Sequence, residues 1–155
     1  MIENEELASI LPHKGRMLLL SRVTEYNLEE RNICAEYDIT EDCLFYDPVI
    51  KGVPAWAAFE FLAQSIAAIS GLWSISKGEK PKMGFILSVS SMRMFIPFFN
   101  TGVTLGLKVT LSGSMDQVFN FDGEVFLEGR KVIEGKLTVM EADEDQIKLL
   151  IKEMN

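Results

Sequence analysis

Glu60, Gln64 and Trp56 are the residues whose types and spacing first suggest chemistry. They stand four apart in a run, Ala55 to Ile75, that also holds Phe59, Phe61, Leu62, Ile66, Ile69, Leu72 and Trp73. On a helix, a spacing of four places all three on one stripe. A carboxyl group among apolar side chains has its charged form disfavoured unless a partner compensates, which is how proteins obtain acids and bases that work near neutral pH. The plain alternative is a helix-face glutamate that reaches solvent or pairs with an arginine. Gln64 by itself reads as a hydrogen-bond filler. His13 is the only histidine and lies in Leu11-Pro12-His13-Lys14-Gly15-Arg16-Met17, a loop rather than an apolar periodic face. Its ordinary titration near neutrality makes it the one ready-made proton-transfer group, although a loop histidine can equally be inert.

Other chemistries find little support. There is no Gly-x-Ser-x-Gly elbow, phosphate loop or dinucleotide fingerprint; Gly102-Val103-Thr104-Leu105-Gly106 falls within a strand pattern and lacks the helix such binding requires. Cys43 has no neighbouring base, and Cys34 sits on a strand as a core residue. Two cysteines and one histidine make neither a disulfide framework nor a four-ligand zinc site, so no metal or redox cofactor is expected and a reducing cytoplasm fits best. Fifteen Lys and Arg against 23 Asp and Glu leave a net charge of -8. Such a balance argues against nucleic acid and anionic membranes as partners. The first residues, Met1-Ile2-Glu3-Asn4-Glu5-Glu6, are acidic where an export signal is basic. Ten Phe and eight Met supply core packing or the walls of an acyl tunnel.

The elements that must position Glu60 follow from periodicity. The chain has 155 residues, 48% of them apolar, which suits one domain with one core. Residues 54–76 predict one helix that is apolar nearly all round, opened by Pro54 and stopped after Lys77-Gly78-Glu79-Lys80-Pro81. Its length would suit a bilayer, but Glu60, Gln64 and three serines favour burial inside protein. Val103, Leu105, Leu107, Val109 and Leu111 alternate with Thr104, Gly106, Lys108 and Thr110, as a half-buried strand does. Further strands are expected at 18–24, 33–39, 85–95, 118–127 and 131–140, with a tight turn at Glu128-Gly129-Arg130. A short helix is expected at 3–10, and Asp143-Glu144-Asp145-Gln146 reads as a capping box opening a C-terminal helix. The economical arrangement is α+β: a curved antiparallel sheet wrapped around the long helix, the hot-dog layout. An open sheet edge predicts pairing with a second copy, a homodimer or larger homo-oligomer.

These pieces resemble a known family. Leu11-Pro12-His13 followed by Met17-Leu18-Leu19-Leu20-Ser21-Arg22-Val23 is similar to the opening segment of the 3-hydroxyacyl-ACP dehydratases of fatty-acid synthesis. Gly52-Val53-Pro54-Ala55-Trp56, with Glu60 and Ala63-Gln64, resembles that family's helix segment, and residues 123–132 resemble its last hairpin. The Pro-Ala-Trp variant ahead of Glu-Phe-Leu-Ala-Gln looks closer to dehydratase-like proteins of aryl-polyene biosynthesis clusters. One departure stands out: the fatty-acid enzymes carry their catalytic His fourteen residues before the helix Glu, where this chain has Tyr46.

The resemblance implies action on acyl groups held as thioesters on acyl-carrier protein or coenzyme A, by dehydration of a 3-hydroxyacyl chain. Glu60 would be the acid that assists loss of the hydroxyl and His13 the substitute base, facing it across a dimer interface. Gln64 would orient Glu60, and Tyr46, Pro54, Trp56 and the Ala55 backbone N–H would border the thioester. Arg16, Lys82, Arg93 or Lys108 would supply a docking patch for an acidic carrier. The alternatives are a hot-dog thioesterase with Glu60 orienting water, or a noncatalytic acyl-thioester binder.

Overall fold

The computed structural model describes residues 1–154. Its elements run β1 (Ile2–Glu3), α1 (Asn4–Ile10), β2 (Arg22–Asn27), β3 (Asn32–Asp38), β4 (Gly52–Pro54), α2 (Ala58–Ser76), β5 (Met83–Met94), β6 (Phe98–Asn100), β7 (Thr104–Met115), β8 (Val118–Leu127), β9 (Arg130–Ala142) and α3 (Glu144–Met154). Seven strands form one antiparallel sheet in the order β1-β2-β3-β7-β8-β9-β5, and β4 pairs with β6 in a second, two-stranded sheet. This is the expected hot-dog layout, with α2 lying in the curve of the large sheet.

Alternation decides which side of each strand meets the helix. In β7, Leu105, Leu107 and Val109 are fully buried while Thr104 and Lys108 face outward. The register sets Ala35 and Val125 on either side of Leu107, so the inner face is apolar across three strands. Against it α2 packs Phe61, Leu62 and Ile69, all fully buried, with Phe61 tilted on Tyr37 at 4.8 Å between ring centres. Bulges in β2, β5, β7 and β8–β9 bend the strands and let the sheet curve. Gly123 removes the side chain where the helix comes closest, since a Cβ there would stand 2.9 Å from Leu62.

Several boundaries differ from the sequence reading. The strand expected at 18–24 begins at Arg22 rather than Leu18, because residues 15–17 form a 3₁₀ turn and Leu19 beyond it donates its N–H to Gln64 on α2. The helix expected at 54–76 opens with a 3₁₀ turn at Ala55–Ala57 before α2 proper. The strand expected at 85–95 runs from Met83 to Met94 and does not join β7: it crosses to the far side and pairs with β9 along its length. The expected hairpin turn is a two-residue connection with both Glu128 and Gly129 at positive φ (52° and 78°), the form that matches strand twist. The capping box forms as expected: Gln146 N–H donates to Asp143 Oδ1 at 2.8 Å and Asp143 N–H donates to Gln146 Oε1 at 2.8 Å.

Helix α1 closes one end of α2, and the contact depends on Gly71. A Cβ at that position would lie 2.6 Å from the Ile10 carbonyl oxygen, a backbone atom that cannot swing aside. Gly71→Ala gains about 1 kcal/mol in helix propensity but overpacks this contact at about 1–3 kcal/mol. The expected net effect is a loss of about 1 kcal/mol with an unchanged fold, measured by urea denaturation; a more stable variant would mean that α1 is not seated on α2.

Candidate active site

Glu60 projects from the first turn of α2, which the β4–β6 pair feeds into the sheet with Pro54 opposite Phe98. Residues 60, 63, 64, 67 and 70 follow helical spacing down one face, and Ala63, Ala67 and Ser70 on it are small. Small side chains leave a gap of about 200 Å³ between this face and the edge of the sheet. Its far wall is β5 and β9, where Gly84 pairs with Glu141 and Ile86 with Val139. His13 closes the cavity from the loop after α1. Glu60 and His13 therefore line one cavity within one chain, where the sequence reading set them opposite each other across a dimer interface.

Burial disfavours the charged form of the imidazole. Burial lowers the His13 pKa from its ordinary 6.5, and the Glu60 carboxylate pulls it partly back up. Nδ1 is buried without a hydrogen-bond partner. An imidazole whose burial disfavours the charged form retains a ring nitrogen able to accept a proton.

Gln64 does not orient Glu60, contrary to expectation. Its Oε1 accepts from the Leu19 N–H at 2.6 Å and its Nε2 donates to the Met17 carbonyl at 2.7 Å, so both ends of the amide are committed to backbone. It thereby ties the segment after His13 to the helix that carries Glu60. The Ala55 N–H is not free for a thioester carbonyl either, since it donates to the Pro97 carbonyl at 3.0 Å. Trp56 is 53% exposed, edge-on to Phe45 at 5.6 Å, in a separate shallow groove with Ala55, Phe95 and Pro97. Tyr46 is half-buried against the core, and neither it nor Pro54 lines the cavity. Of the basic residues expected to dock a carrier, Arg93 pairs with Glu134 at 3.3 Å, Arg16 donates to the Asp42 and Cys43 carbonyls, Lys82 borders the cavity and Lys108 faces outward from β7.

Sequence reasoning missed Ser70 and Glu141, which also line the cavity. Ser70 was legible as the tenth residue along the Glu60 stripe, in line with Ala63 and Ala67. Glu141 was not, because its position depends on which strand joins the sheet edge.

Two measurements check this geometry. Across a pH titration followed by NMR, His13 is expected to change charge below 6.5, and lower still in Glu60→Gln, which removes the raising influence; an unchanged titration in the variant would mean the two groups do not sense each other. Because the folded-state pKa lies below the unfolded one, this histidine makes stability fall as pH drops through 6.5. Gln64→Leu leaves a buried N–H and a carbonyl without partners and is expected to lose about 2–4 kcal/mol in denaturant unfolding; a loss under 1 kcal/mol would leave the loop anchored by other contacts.

Comparison with known proteins places this geometry. Residues 5–151 match the model of the ApeP-like family, described as ApeP dehydratase. The 3-hydroxyacyl-[acyl-carrier-protein] dehydratase FabZ of Erythrobacter litoralis is 28% identical over 142 residues, covering 90% of this chain and 92% of that protein. The FabZ of Latilactobacillus sakei is 27% identical over 143 residues, covering 89% and 97%. In fold, the chain superposes on a subunit of the dehydratase heterocomplex ApeI:P from Xenorhabdus doucetiae with a TM-score of 0.84 at 23% identity, covering 94% of this chain and 96% of that one. With a cavity that unites the helix glutamate and the loop histidine, and a match over nearly its whole length, the chain belongs to the ApeP-like dehydratase family.

Proposed function

We propose that this protein dehydrates 3-hydroxyacyl thioesters, carried on acyl-carrier protein or coenzyme A, to the 2-enoyl form in the cytoplasm. The observation that supports this most is the shared cavity of Glu60 and His13, walled otherwise mainly by apolar residues. The FabZ relatives act on 3-hydroxyacyl-[acyl-carrier-protein], which supports the same substrate class here.

The elimination needs two proton movements. His13 takes the proton from the carbon next to the thioester carbonyl, and its electrons form the new double bond as the carbon–oxygen bond at the 3-position breaks. Glu60 enters the cycle carrying a proton and gives it to the departing hydroxyl, which leaves as water. Transfer of the proton from imidazolium back to carboxylate resets both groups. Gln64 serves as a positioning residue by holding residues 17–19 against α2. Pro54, Ala55, Trp56 and Tyr46, outside the cavity, would border the thioester arm rather than the acyl chain.

The free edge of the sheet at β5 supports assembly. Phe85, Ile86, Leu87 and Val89 are all exposed along it, an open apolar edge of the sort that soluble proteins cover. The Xenorhabdus protein is part of a heterocomplex, so the partner at this edge is a second copy or a related dehydratase chain.

Purified protein is expected to convert a 3-hydroxyacyl thioester to enoyl product. Glu60→Gln should lower kcat by at least ~100-fold, in the range for loss of a proton-transfer group, with KM little changed. Loss of activity in Glu60→Gln with full turnover in His13→Ala would assign the base to another group. Release of free thiol would instead make the protein a thioesterase, and saturable binding without either product would make it a binder.

A further inference from the structure

The outer face of the large sheet, turned away from α2, changes character at one end. Three successive cross-strand rows on it are polar and bonded within themselves. Thr138, between Ser88 and Asn120, donates to Asn120 Oδ1 at 2.7 Å. In the next row Lys136 pairs with Asp122 at 3.8 Å, and in the one after it Arg93 pairs with Glu134 at 3.3 Å. The end row breaks this pattern. Phe85 stands beside Met140, Met140 beside Val118 and Val118 beside Met115, four apolar side chains across β5, β9, β8 and β7. Met115 is 76% exposed. An apolar row at the edge of a solvated face marks a surface that another element covers.

The chain carries an element of matching character. Ile147, Leu150, Ile151 and Met154 fall on one side of α3 and make it amphipathic. Apart from Gln146 and Ile147, which are half-buried, every residue of α3 is exposed. The capping box at Asp143 fixes the direction in which α3 leaves β9, and on that course the helix leaves its own row uncovered, with Met154 85% exposed at its end. Charge is complementary as well. Asp116 adjoins Met115, and Asp143, Glu144 and Asp145 follow shortly after Met140, so the row has an acidic rim. Past its acidic first turn α3 carries Lys148 and Lys152, with Glu153 the one acid among them.

We propose that two copies of this chain exchange α3, each laying the helix on the other's Phe85-Met140-Val118-Met115 row. A two-fold pairing suits this arrangement because every copy brings one row and one helix, so both apolar surfaces are covered at once. Lys148 and Lys152 then meet the acidic rim of the other copy. The area suffices: Met83, Phe85, Met115, Leu150, Ile151 and Met154 are 37–85% exposed, and at roughly 200 Å² for a fully exposed side chain they offer on the order of 700 Å² per copy, as each partner of a stable interface does. This contact uses the face of the sheet and leaves the β5 edge free. It also borders the active site, since Pro81, Lys82 and Met83 line both the Glu60 cavity and the cleft beside the first turn of α3.

Sedimentation equilibrium of the full chain tests the exchange with two substitutions at exposed positions, Met115→Lys in the row and Ile151→Asp in the helix. Each is expected to halve the assembly mass of the wild type while leaving the circular dichroism spectrum unchanged. An equimolar mixture of the two variants is expected to regain the wild-type mass, because the mixed pair keeps one intact helix on one intact row and sets opposite charges together in the other contact. A mass unaffected by Met115→Lys would mean that helix pairs with helix, and one unaffected by Ile151→Asp that row pairs with row; either overturns the exchange. So does a mass that neither substitution alters, the result if the row receives a different protein, and so does a mixture that stays at half mass.

Discussion

The whole molecule answers to one constraint: α2 has no polar face. Phe61, Leu62 and Ile69 are fully buried on it, and each contributes about 1.5–3 kcal/mol when removed from water. A helix of this kind must be enclosed on several sides, and a flat sheet encloses only one. The bulged strands curve around it, Gly123 lets it sink close, and α1 caps the remaining side where Gly71 has no side chain. Curvature is thus a consequence of the helix composition.

The site arises where that enclosure is left incomplete. On the stripe headed by Glu60 the residues turn small, and the facing strand carries Gly84, so the packing opens along one line. Glu60, His13, Ser70 and Glu141 all border that gap. Gln64 connects the gap to the rest of the fold: by bonding both the Met17 carbonyl and the Leu19 N–H it makes the histidine loop an attachment of α2 rather than of the sheet. Glu60 and His13 are then carried by a common support.

How much of this was legible depends on the range of the forces involved. Local signals read well: the 54–76 helix, the alternation of Leu105, Leu107 and Val109, the Glu128-Gly129 turn and the Asp143–Gln146 box all depend on neighbours within a few residues. Glu60 and His13 were picked out by residue type and shown to share a cavity by the fold. What failed depended on distant partners. Gln64 bonds backbone 45 residues away, and no pattern in the helix reveals that its amide is already engaged. The Ala55 N–H is taken by Pro97, which reaches it only because β4 and β6 pair. The crossing of β5 to β9, and with it the placement of Glu141, is a matter of strand order, on which periodicity is silent.

The unbroken run of α2 from Ala58 to Ser76 has one more effect. Glu60 and Ser70 are fixed to a rigid rod of constant pitch, so the separation between the two ends of the cavity behaves as a yardstick rather than an elastic sleeve. Exchanging wall residues among relatives can widen or narrow the bore, but a longer measure demands extra residues in the rod, added in whole turns so that the far mark returns to the same face.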